Sequence, residues 1–299
     1  MQPLILKRDG LTLHAHLYGD PKHPLVVLLH GFPDTPHCWD KVYPVLVNAG
    51  YQVLVPWLRG YTLDSVHTDA HYGLASATTD LKTWVEKLGA RQFHLVGHDW
   101  GAAIAMTYAS QYTASLYSMS LLAVPPIPAL KNILTNLKYF PKQLYMSSYM
   151  LLMQSKFAKK ILSQHRADFV EKIWKKWSPT WAFTEADFAA TRQAFSQPQI
   201  AWAATRYYRN LFVIHHPINF KANQHLLSQI KVPTLALAGL DDGCMNIQLH
   251  QALAQANYFP QGLRSIHLPN CGHFLQAEQP QRVAELLLEH FQKIMNKEI

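Results

Sequence analysis

Asp99 is the residue whose type and setting point most directly to chemistry. It lies in the segment Leu95–Gly101 (LVGHDWG), where an apolar strand pattern runs into Gly-x-Asp-x-Gly and then directly into a helix pattern. The glycines allow a sharp turn that presents the middle residue at the carboxyl edge of a parallel sheet, where ligands bind in open α/β sheets. A carboxylate is ionised near neutral pH and suits attack on a saturated carbon that carries a leaving group. We therefore predict that Asp99 is a nucleophile, and the alternative is an ordinary helix N-cap.

Two further segments could supply the groups that release an ester from Asp99. Water must attack the ester carbonyl, and this step needs a general base that an acid holds in place. The segment Asn270–Phe274 (NCGHF) follows the last predicted strand and offers His273 as the base. The sequence GLDD follows another predicted strand and offers the acid, which is either Asp241 or Asp242. The chain order of nucleophile, acid and histidine is the order of a hydrolase triad on such a sheet.

The tetrahedral intermediate of this hydrolysis also needs N–H groups aimed at its oxyanion. The residues HGFP directly follow the apolar run Leu25–Leu29. In a hydrolase triad built on a parallel sheet, the loop after such a strand supplies the first oxyanion donor. We predict that the N–H of Phe32 is this donor. The N–H of Trp100, the residue after the nucleophile, is the predicted second donor.

The chain around these residues has the pattern of an α/β protein. Strand and helix patterns alternate through the first 124 residues and return near the end of the chain. Such alternation predicts a mostly parallel central sheet that is flanked by helices. The predicted strands are Leu11–Tyr18, Leu25–Leu29, Gln52–Val55, Phe93–Val96, Ser118–Val124, Val232–Ala238 and Ser265–Leu268. The predicted helices are Ala75–Leu88, Gly101–Ser110 and Arg282–Met295.

The segment 125–222 differs in style from the rest of the chain. A PPIP sequence breaks the chain, and long helical stretches with few β-branched runs follow it. We predict a helical cap, or lid, at 125–222, inserted between two core segments at 1–124 and 223–299. The segment carries 14 Lys and Arg against 4 Asp and Glu, a net charge of +10, whereas the rest of the chain has a net charge of −2. Lysines on the solvent face of amphipathic helices explain this charge better than a surface for nucleic acid, so we expect no nucleic-acid partner.

The composition excludes several classes of protein. The 299 residues are 49% hydrophobic and 15% charged, which excludes a disordered chain. The longest apolar runs are far shorter than the roughly 20 residues that span a bilayer, so we expect no stable membrane insertion. No basic and apolar leader opens the chain, and the 3 scattered cysteines argue against a disulfide framework or a structural metal site. We expect a soluble cytoplasmic protein that binds no metal.

Five motifs, HGFPD, PWLRGY, GHDWGAA, GLDDGC and NCGHF, occur in this order across the predicted core. Together they resemble the α/β-hydrolase fold and, within it, the epoxide hydrolase branch. The resemblance implies a catalytic triad of Asp99, Asp242 and His273, because the spacing of the family's acid motif favours Asp242 over Asp241. It also implies hydrolysis without a cofactor.

The resemblance further implies two cap tyrosines that hold the epoxide oxygen, because the alkoxide formed from it is a poor leaving group. The segment Ser148–Gln154 resembles the family segment that carries the first tyrosine, which points to Tyr149. The sequence RYYR resembles the segment that carries the second, which points to Tyr208. The neighbouring Tyr145 and Tyr207 are the alternatives. The residues that we expect to contact the substrate are His30, Pro33, Trp100, Tyr149 and Tyr208.

These observations lead to one predicted function and two alternatives. We predict an enzyme that opens a small apolar epoxide to a vicinal diol through an alkyl ester on Asp99, which water activated by His273 and Asp242 then hydrolyses. The nearest alternative is a haloalkane or haloacid dehalogenase, which uses the same triad and holds a halide with N–H donors such as the Trp100 indole. A more distant alternative is a non-catalytic binding protein whose basic cap docks an anionic partner. We expect a monomer or a homodimer.

Overall fold

A computed structural model describes residues 1–296 of this chain, without the side chains of residues 131–135. At the centre of this described part is a sheet of 8 strands in the order β1-β2-β4-β3-β5-β6-β7-β8. The strands are β1 (Gln2–Arg8), β2 (Leu11–Tyr18), β3 (Leu25–Leu29), β4 (Gln52–Pro56), β5 (Phe93–His98), β6 (Leu116–Leu122), β7 (Thr234–Gly239) and β8 (Leu263–Leu268). The predicted strands are confirmed to within about two residues at each end. The strand β1 was not predicted.

The sheet is mostly parallel, as predicted. All neighbouring pairs from β4 to β8 in the sheet order run parallel, whereas β2 runs antiparallel to both of its neighbours. The side chains of β3 alternate between the two faces, so that Val27 packs into one hydrophobic core and Val26 packs into the other. A strand that is covered on both faces has a continuous apolar sequence, which explains the LVVLL pattern.

Helices cover both faces of this sheet. In chain order, the helices of the described residues are α1 (Tyr43–Asn48), α2 (Leu74–Lys87), α3 (Trp100–Gln111), α4 (Phe140–Met146), α5 (Tyr149–Gln154), α6 (Ala158–Ser163), α7 (Asp168–Trp177), α8 (Glu185–Phe195), α9 (Pro198–Phe212), α10 (Pro217–Leu226), α11 (Ile247–Leu253), α12 (Leu275–Glu278) and α13 (Pro280–Met295). Leu81 of α2 and Ile104 of α3 pack into the core that contains Val27. Leu46 of α1 and Leu287 of α13 pack into the core on the opposite face. The predicted helices correspond to α2, α3 and α13 and are confirmed.

The chain between β6 and β7 forms helices α4 to α10. Helices α9 and α10 begin at Pro198 and Pro217, where the missing N–H of proline costs no helical hydrogen bond. Helix α10 packs against α2 and α3, and the predicted boundary after residue 222 falls within it. Across the described residues no helix combines the length and the apolar character that crossing a membrane requires.

The loop after β4 is fixed to α2 by a buried arginine. The Nε and Nη2 atoms of Arg59 each donate a 2.6 Å hydrogen bond to a carboxylate oxygen of Asp80, which lies on α2. The Nη1 atom of Arg59 donates to the carbonyl oxygen of His71 at 2.7 Å. The arginine side chain is 0% exposed, so the ion pair holds this loop from inside the protein.

Candidate active site

Asp99 lies on a strained turn between β5 and α3. Its φ of 51° falls in the left-handed region, which residues other than glycine rarely adopt. Two glycines let the chain close around this turn. A Cβ atom on Gly97 would collide with the carbonyl oxygen of Gly101, and a Cβ atom on Gly101 would lie 2.5 Å from the carbonyl oxygen of Leu29. The strand, turn and helix therefore have the geometry that the GHDWG motif predicts.

Phe32 contacts the Asp99 carboxylate, and Trp100 follows Asp99 at the start of α3. The N–H of Phe32 donates a 2.7 Å hydrogen bond to Oδ1 of Asp99. Phe32 follows β3, which pairs directly with β5, so the two loops leave neighbouring strands at the same sheet edge. Trp100 is the first residue of α3, so its N–H has no partner within the helix.

His273 follows β8 and Asp242 follows β7, and the two side chains meet at the same edge of the sheet. The Nδ1 atom of His273 lies 2.9 Å from Oδ2 of Asp242, and both side chains are buried. The other carboxylate oxygen of Asp242 accepts hydrogen bonds from the N–H groups of Cys244 at 2.6 Å and Met245 at 2.8 Å. The neighbouring Asp241 is exposed, so the structure pairs Asp242 with the histidine.

The electrostatics of His273 are set by burial and by two carboxylates. Burial lowers the pKa of His273, but the carboxylates of Asp242 and Asp99 outweigh it and raise the pKa to about 10. The Nε2 atom of His273 lies 3.8 Å from Oδ2 of Asp99 and has no hydrogen-bond partner among the described residues. Asp242, His273 and Asp99 therefore lie in a row, and the Nε2 atom of His273 faces Asp99 without a hydrogen bond to it.

The loop that carries His273 is held by residues that the sequence did not single out. The Ser178 hydroxyl accepts a 2.9 Å hydrogen bond from the N–H of His273 and donates to the carboxylate of Glu278. Glu278 also accepts from the N–H groups of Gly272 at 2.8 Å and Phe274 at 3.0 Å. The Glu278 carboxylate follows His273 closely in the chain, but nothing in the sequence connects Ser178 to this loop.

Tyr149 and Tyr208 come together above Asp99, with ring centroids 5.6 Å apart. The Tyr208 side chain is buried, and its hydroxyl has no hydrogen-bond partner among the residues that the structure describes. The Tyr149 hydroxyl lies 3.9 Å from Sγ of Cys244. Burial raises the pKa of both phenols well above the usual value, so both remain protonated and able to donate.

The two alternative tyrosines point elsewhere. Tyr145 is 71% exposed, and the ammonium group of Lys176 lies over its ring. Tyr207 is buried, but its hydroxyl donates a 3.0 Å hydrogen bond to the carbonyl oxygen of Arg59. The structure therefore brings Tyr149 and Tyr208 to Asp99 and leaves the other two away from it.

A small apolar cavity connects the carboxylate with the two phenols. Its volume is about 130 Å³, and the residues that line it are Asp99, Trp100, Ala103, Val124, Ile127, Tyr149, Met150, Tyr208, Leu211 and Leu226. Most of these side chains are apolar, as in a pocket for a small uncharged molecule. Across the described part of the chain, no group of three or more His, Cys, Asp or Glu side chains could hold a metal ion.

His30 and Pro33 are not among the residues that line this cavity. One ring nitrogen of His30 accepts a 3.0 Å hydrogen bond from the N–H of Leu58, and the other lies 3.1 Å from the carbonyl oxygen of Gly31. Burial lowers the pKa of His30 to about 3, so the ring is neutral. The carbonyl oxygen of Pro33 accepts a 2.8 Å hydrogen bond from the Trp174 indole. Both residues shape the loop that carries Phe32, and their contact with substrate stays a prediction.

The chain matches a protein-family model described as the alpha/beta hydrolase fold over residues 24–280. A similar curated protein is the AB hydrolase superfamily protein YfhM of Bacillus subtilis, which is 29% identical over 288 residues that cover 94% of this chain and 95% of that protein. Epoxide hydrolase 3 of Xenopus tropicalis is 28% identical over 291 residues, which cover 94% of this chain and 75% of that protein.

Solved structures show the same fold. A crystal structure of epoxide hydrolase A from Mycobacterium thermoresistibile superposes with a TM-score of 0.81, at 24% identity, over 97% of this chain and 98% of that chain. At this identity the superposition supports the fold alone. The family model and the superposition agree on one architecture for nearly the whole chain.

Proposed function

Because the chain belongs to the α/β-hydrolase fold family, we propose that it is an epoxide hydrolase, which opens an epoxide to a vicinal diol. The predicted fold is confirmed, and the similarity to proteins named epoxide hydrolases supports this activity. The observation that carries the proposal is the composition of the cavity. One buried carboxylate, Asp99, and two protonated phenols, Tyr149 and Tyr208, line the same small apolar space.

In the first step, a carboxylate oxygen of Asp99 attacks a ring carbon of the epoxide. The carbon–oxygen bond of the ring breaks, and the epoxide oxygen takes a proton from the phenol of Tyr149 or Tyr208. The unpartnered hydroxyl of Tyr208 supports this role, because a buried donor without an acceptor is free to bond a substrate oxygen. The product of the step is an alkyl ester on Asp99 with a free hydroxyl on the neighbouring carbon.

In the second step, water hydrolyses the ester at the carbonyl carbon of Asp99. The Nε2 atom of His273 takes a proton from the water, and Asp242 stabilises the imidazolium that forms. The N–H groups of Phe32 and Trp100 stabilise the oxyanion, and the present hydrogen bond from Phe32 to Oδ1 supports this assignment. Collapse of the intermediate breaks the bond between the ester carbonyl carbon and the substrate oxygen and leaves a carboxylic acid on Asp99. The imidazolium and this acid return one proton each to the leaving alkoxide and to the tyrosinate formed in the first step. The diol is released, and the carboxylate, the phenol and the neutral imidazole are restored, so the cycle consumes only water and the epoxide.

The inserted helices complete the site in this proposal. The core segments 1–124 and 223–299 supply Asp99, Asp242 and His273, and the cap at 125–222 supplies the two phenols from α5 and α9. A cavity of about 130 Å³ favours small apolar epoxides, since an apolar cavity of about this size accommodates a molecule such as benzene.

Dehalogenation is the alternative that the same triad permits. The Trp100 side chain lines the cavity, so its indole could hold a halide released by attack of Asp99. The two phenols favour the epoxide, because a halide leaves without protonation whereas an alkoxide needs a proton donor.

A trapping experiment on the variant His273→Gln tests the proposal. Without the base, alkylation of Asp99 proceeds and hydrolysis stops, so the ester accumulates. The variant is incubated separately with styrene oxide and with 1-bromobutane and then analysed by intact-protein and peptide mass spectrometry. We expect an adduct of the epoxide's mass on the Asp99 peptide and none from the halide.

The double variant His273→Gln, Asp99→Ala is the matched control and should give no adduct. An adduct from the bromide alone would replace the proposed activity with dehalogenation and reduce Tyr149 and Tyr208 to packing residues. Absence of any adduct from a series of small epoxides and halides would mean that Asp99 is not a nucleophile.

A further inference from the structure

The first part of the inserted segment has one sign of charge. Residues 125–167 contain 7 Lys and Arg and no Asp or Glu. Five of these side chains are exposed lysines, namely Lys138, Lys142, Lys156, Lys159 and Lys160. Across the described residues none of the five forms an ion pair with a carboxylate, whereas Lys41, Lys82 and Lys175 elsewhere do. This part of the surface therefore carries an uncompensated positive charge.

Large apolar side chains are exposed in the same stretch. They are between 53% and 76% exposed and comprise Leu137, Leu144, Tyr145, Leu151 and Phe157. The charged and apolar residues are interspersed along the chain, and the ammonium group of Lys156 lies 5.3 Å from the ring centroid of Phe157. We call the exposed lysines and apolar side chains of residues 137–160 the 137–160 surface.

The 137–160 surface is directly connected to the cavity through α5. Tyr149 and Met150 of this helix line the cavity, and the next residue, Leu151, is the most exposed of the apolar side chains, at 76%. Met153 at the other side of the helix is fully buried in the core. The helix therefore exposes a leucine beside the polar Gln154, although a solvent-facing helix side normally carries polar residues alone.

We propose that the 137–160 surface docks on a membrane surface that contains anionic lipids. Exposed lysines attract an anionic headgroup layer, and leucine and aromatic side chains between them enter the headgroup region. The charge argues against a second copy of the chain on this face, because two such surfaces would repel each other. The exposed leucines argue against nucleic acid, because aliphatic side chains have no partner along a phosphate backbone.

Docking in this orientation brings α5 and the cavity beside it to the lipid. Small apolar molecules partition from water into a bilayer, so the cavity would fill from the lipid side. The inference depends on the exposed surface and not on the chemistry of Asp99, so it can hold or fail independently of the proposed activity.

Vesicle co-sedimentation of the whole chain tests this proposal. The vesicles are made of phosphatidylcholine alone or of phosphatidylcholine and phosphatidylglycerol in equal amounts. We expect binding to the mixed vesicles at low salt, weaker binding at high salt and little binding to phosphatidylcholine alone.

Two sets of substitutions separate charge from apolar contact. The triple variant Lys138→Gln, Lys142→Gln, Lys156→Gln should bind the mixed vesicles about 100-fold more weakly, since each lysine near an anionic surface contributes roughly a fivefold factor. The triple variant Leu144→Ser, Leu151→Ser, Phe157→Ser should lose most of the binding that persists at high salt. All six side chains are exposed, so the thermal unfolding of both variants should match that of the unmodified protein.

Matched controls change the same residue types on other surfaces. Lys22→Gln, Lys231→Gln, Lys293→Gln and, separately, Ile5→Ser should leave vesicle binding unchanged. The proposal is overturned if the mixed vesicles do not bind the protein or if the control variants lose binding as strongly as the surface variants. It is equally overturned if the apolar variant only converts a dimer to a monomer, which assigns the face to a second copy, or if the lysines support binding to duplex DNA but not to vesicles.

Discussion

His273 stands between two carboxylates and is hydrogen-bonded to only one of them. Its Nδ1 atom lies 2.9 Å from Oδ2 of Asp242, whereas its Nε2 atom lies 3.8 Å from Oδ2 of Asp99, which is beyond hydrogen-bond length. Burial lowers the pKa of His273, and the two carboxylates raise it to about 10. Alkylation of Asp99 would turn one carboxylate into a neutral ester, so the pKa of His273 would fall at the stage where the ring must act as a base.

The first prediction concerns this coupling. The variant Asp99→Asn carries a neutral group at the position of the ester, and we expect the pKa of His273 to be lower in it than in the unmodified protein. The measurement is a pH titration of the imidazole nitrogens by NMR. The variant Asp241→Asn removes an exposed neighbouring carboxylate and should leave the pKa unchanged within a few tenths. An equal pKa with Asp99 and with Asn at this position would show that Asp242 alone sets it.

The second prediction separates the adjacent Tyr207 and Tyr208. Tyr208→Phe should slow alkylation by about 100-fold, because a proton donor to the epoxide oxygen is lost, and should leave stability almost unchanged, because the hydroxyl has no partner to lose. Tyr207→Phe removes a hydrogen bond to the carbonyl oxygen of Arg59 and should lower the unfolding free energy by about 1 kcal/mol. Its alkylation rate should stay within about twofold of that of the unmodified protein. Single-turnover kinetics and urea unfolding measure the two effects, and the reverse assignment would make Tyr207 the donor.

The positions of the site residues were predictable because each depends on local sequence. Asp99, Asp242 and His273 each follow an apolar strand within a short glycine-containing motif, so the strand pattern and the turn residues together locate them at one edge of the sheet. Their catalytic roles stay predictions. The tyrosines could be located only through the resemblance, because an aromatic residue on a cap helix has no local pattern that distinguishes a proton donor from a packing residue.

Other features depend on contacts that local sequence does not encode. The edge strand β1 was missed because none of its residues is fully buried, so its alternation between apolar and polar residues is weak. Asp80 lies within α2, and its partner Arg59 is 21 residues away in the chain, so their pairing exists only in the folded protein. Ser178 and Glu278, which hold the His273 loop, are 100 residues apart.

The third prediction tests the buried ion pair between Arg59 and Asp80. Asp80→Asn removes the bidentate ionic partner of the buried guanidinium, which keeps only Asp9 as a charged partner, and should lower the unfolding free energy by about 3–5 kcal/mol. Arg282→Gln removes an exposed ion pair with Glu285 and should change it by less than about 1 kcal/mol. Urea unfolding at neutral pH compares the two variants. Equal small losses would mean that Arg59 is stabilised mainly by its other partners, the Asp9 carboxylate and the carbonyl oxygen of His71.

The fourth prediction concerns Asp34, a buried residue of the loop that carries Phe32. Oδ1 of Asp34 accepts from the N–H of Thr35 at 2.7 Å and from the Thr191 hydroxyl at 3.3 Å, while Oδ2 has no partner among the described residues. Burial raises the pKa of Asp34 from 3.8 to about 7. Between about pH 4 and pH 7 the carboxyl is therefore protonated in the folded state and ionised in the unfolded state. Its contribution to the free energy of unfolding is fully present below about pH 4 and is lost as the pH rises to about 7.

The variant Asp34→Asn keeps a neutral acceptor at this position and should lack that loss. Its unfolding free energy relative to the unmodified protein should increase between about pH 4 and pH 7, by up to about 4 kcal/mol, and then level off. Urea unfolding at several pH values measures the difference. A constant difference across this range would mean that the Asp34 carboxyl ionises in the folded protein as it does in water.

Strand β6 ends at Leu122, and its neighbour in the sheet, β7, begins at Thr234. The whole helical insertion is therefore synthesised after β6 and before β7. While the chain leaves the ribosome, the edge of β6 has no strand to pair with until the insertion has emerged, and an unpaired strand edge invites association with other chains. Asp99 is made before the insertion, and Asp242 and His273 are made after it. No nascent chain that ends within the insertion can assemble the three groups, so Asp99, Asp242 and His273 come together only in the last stage of synthesis.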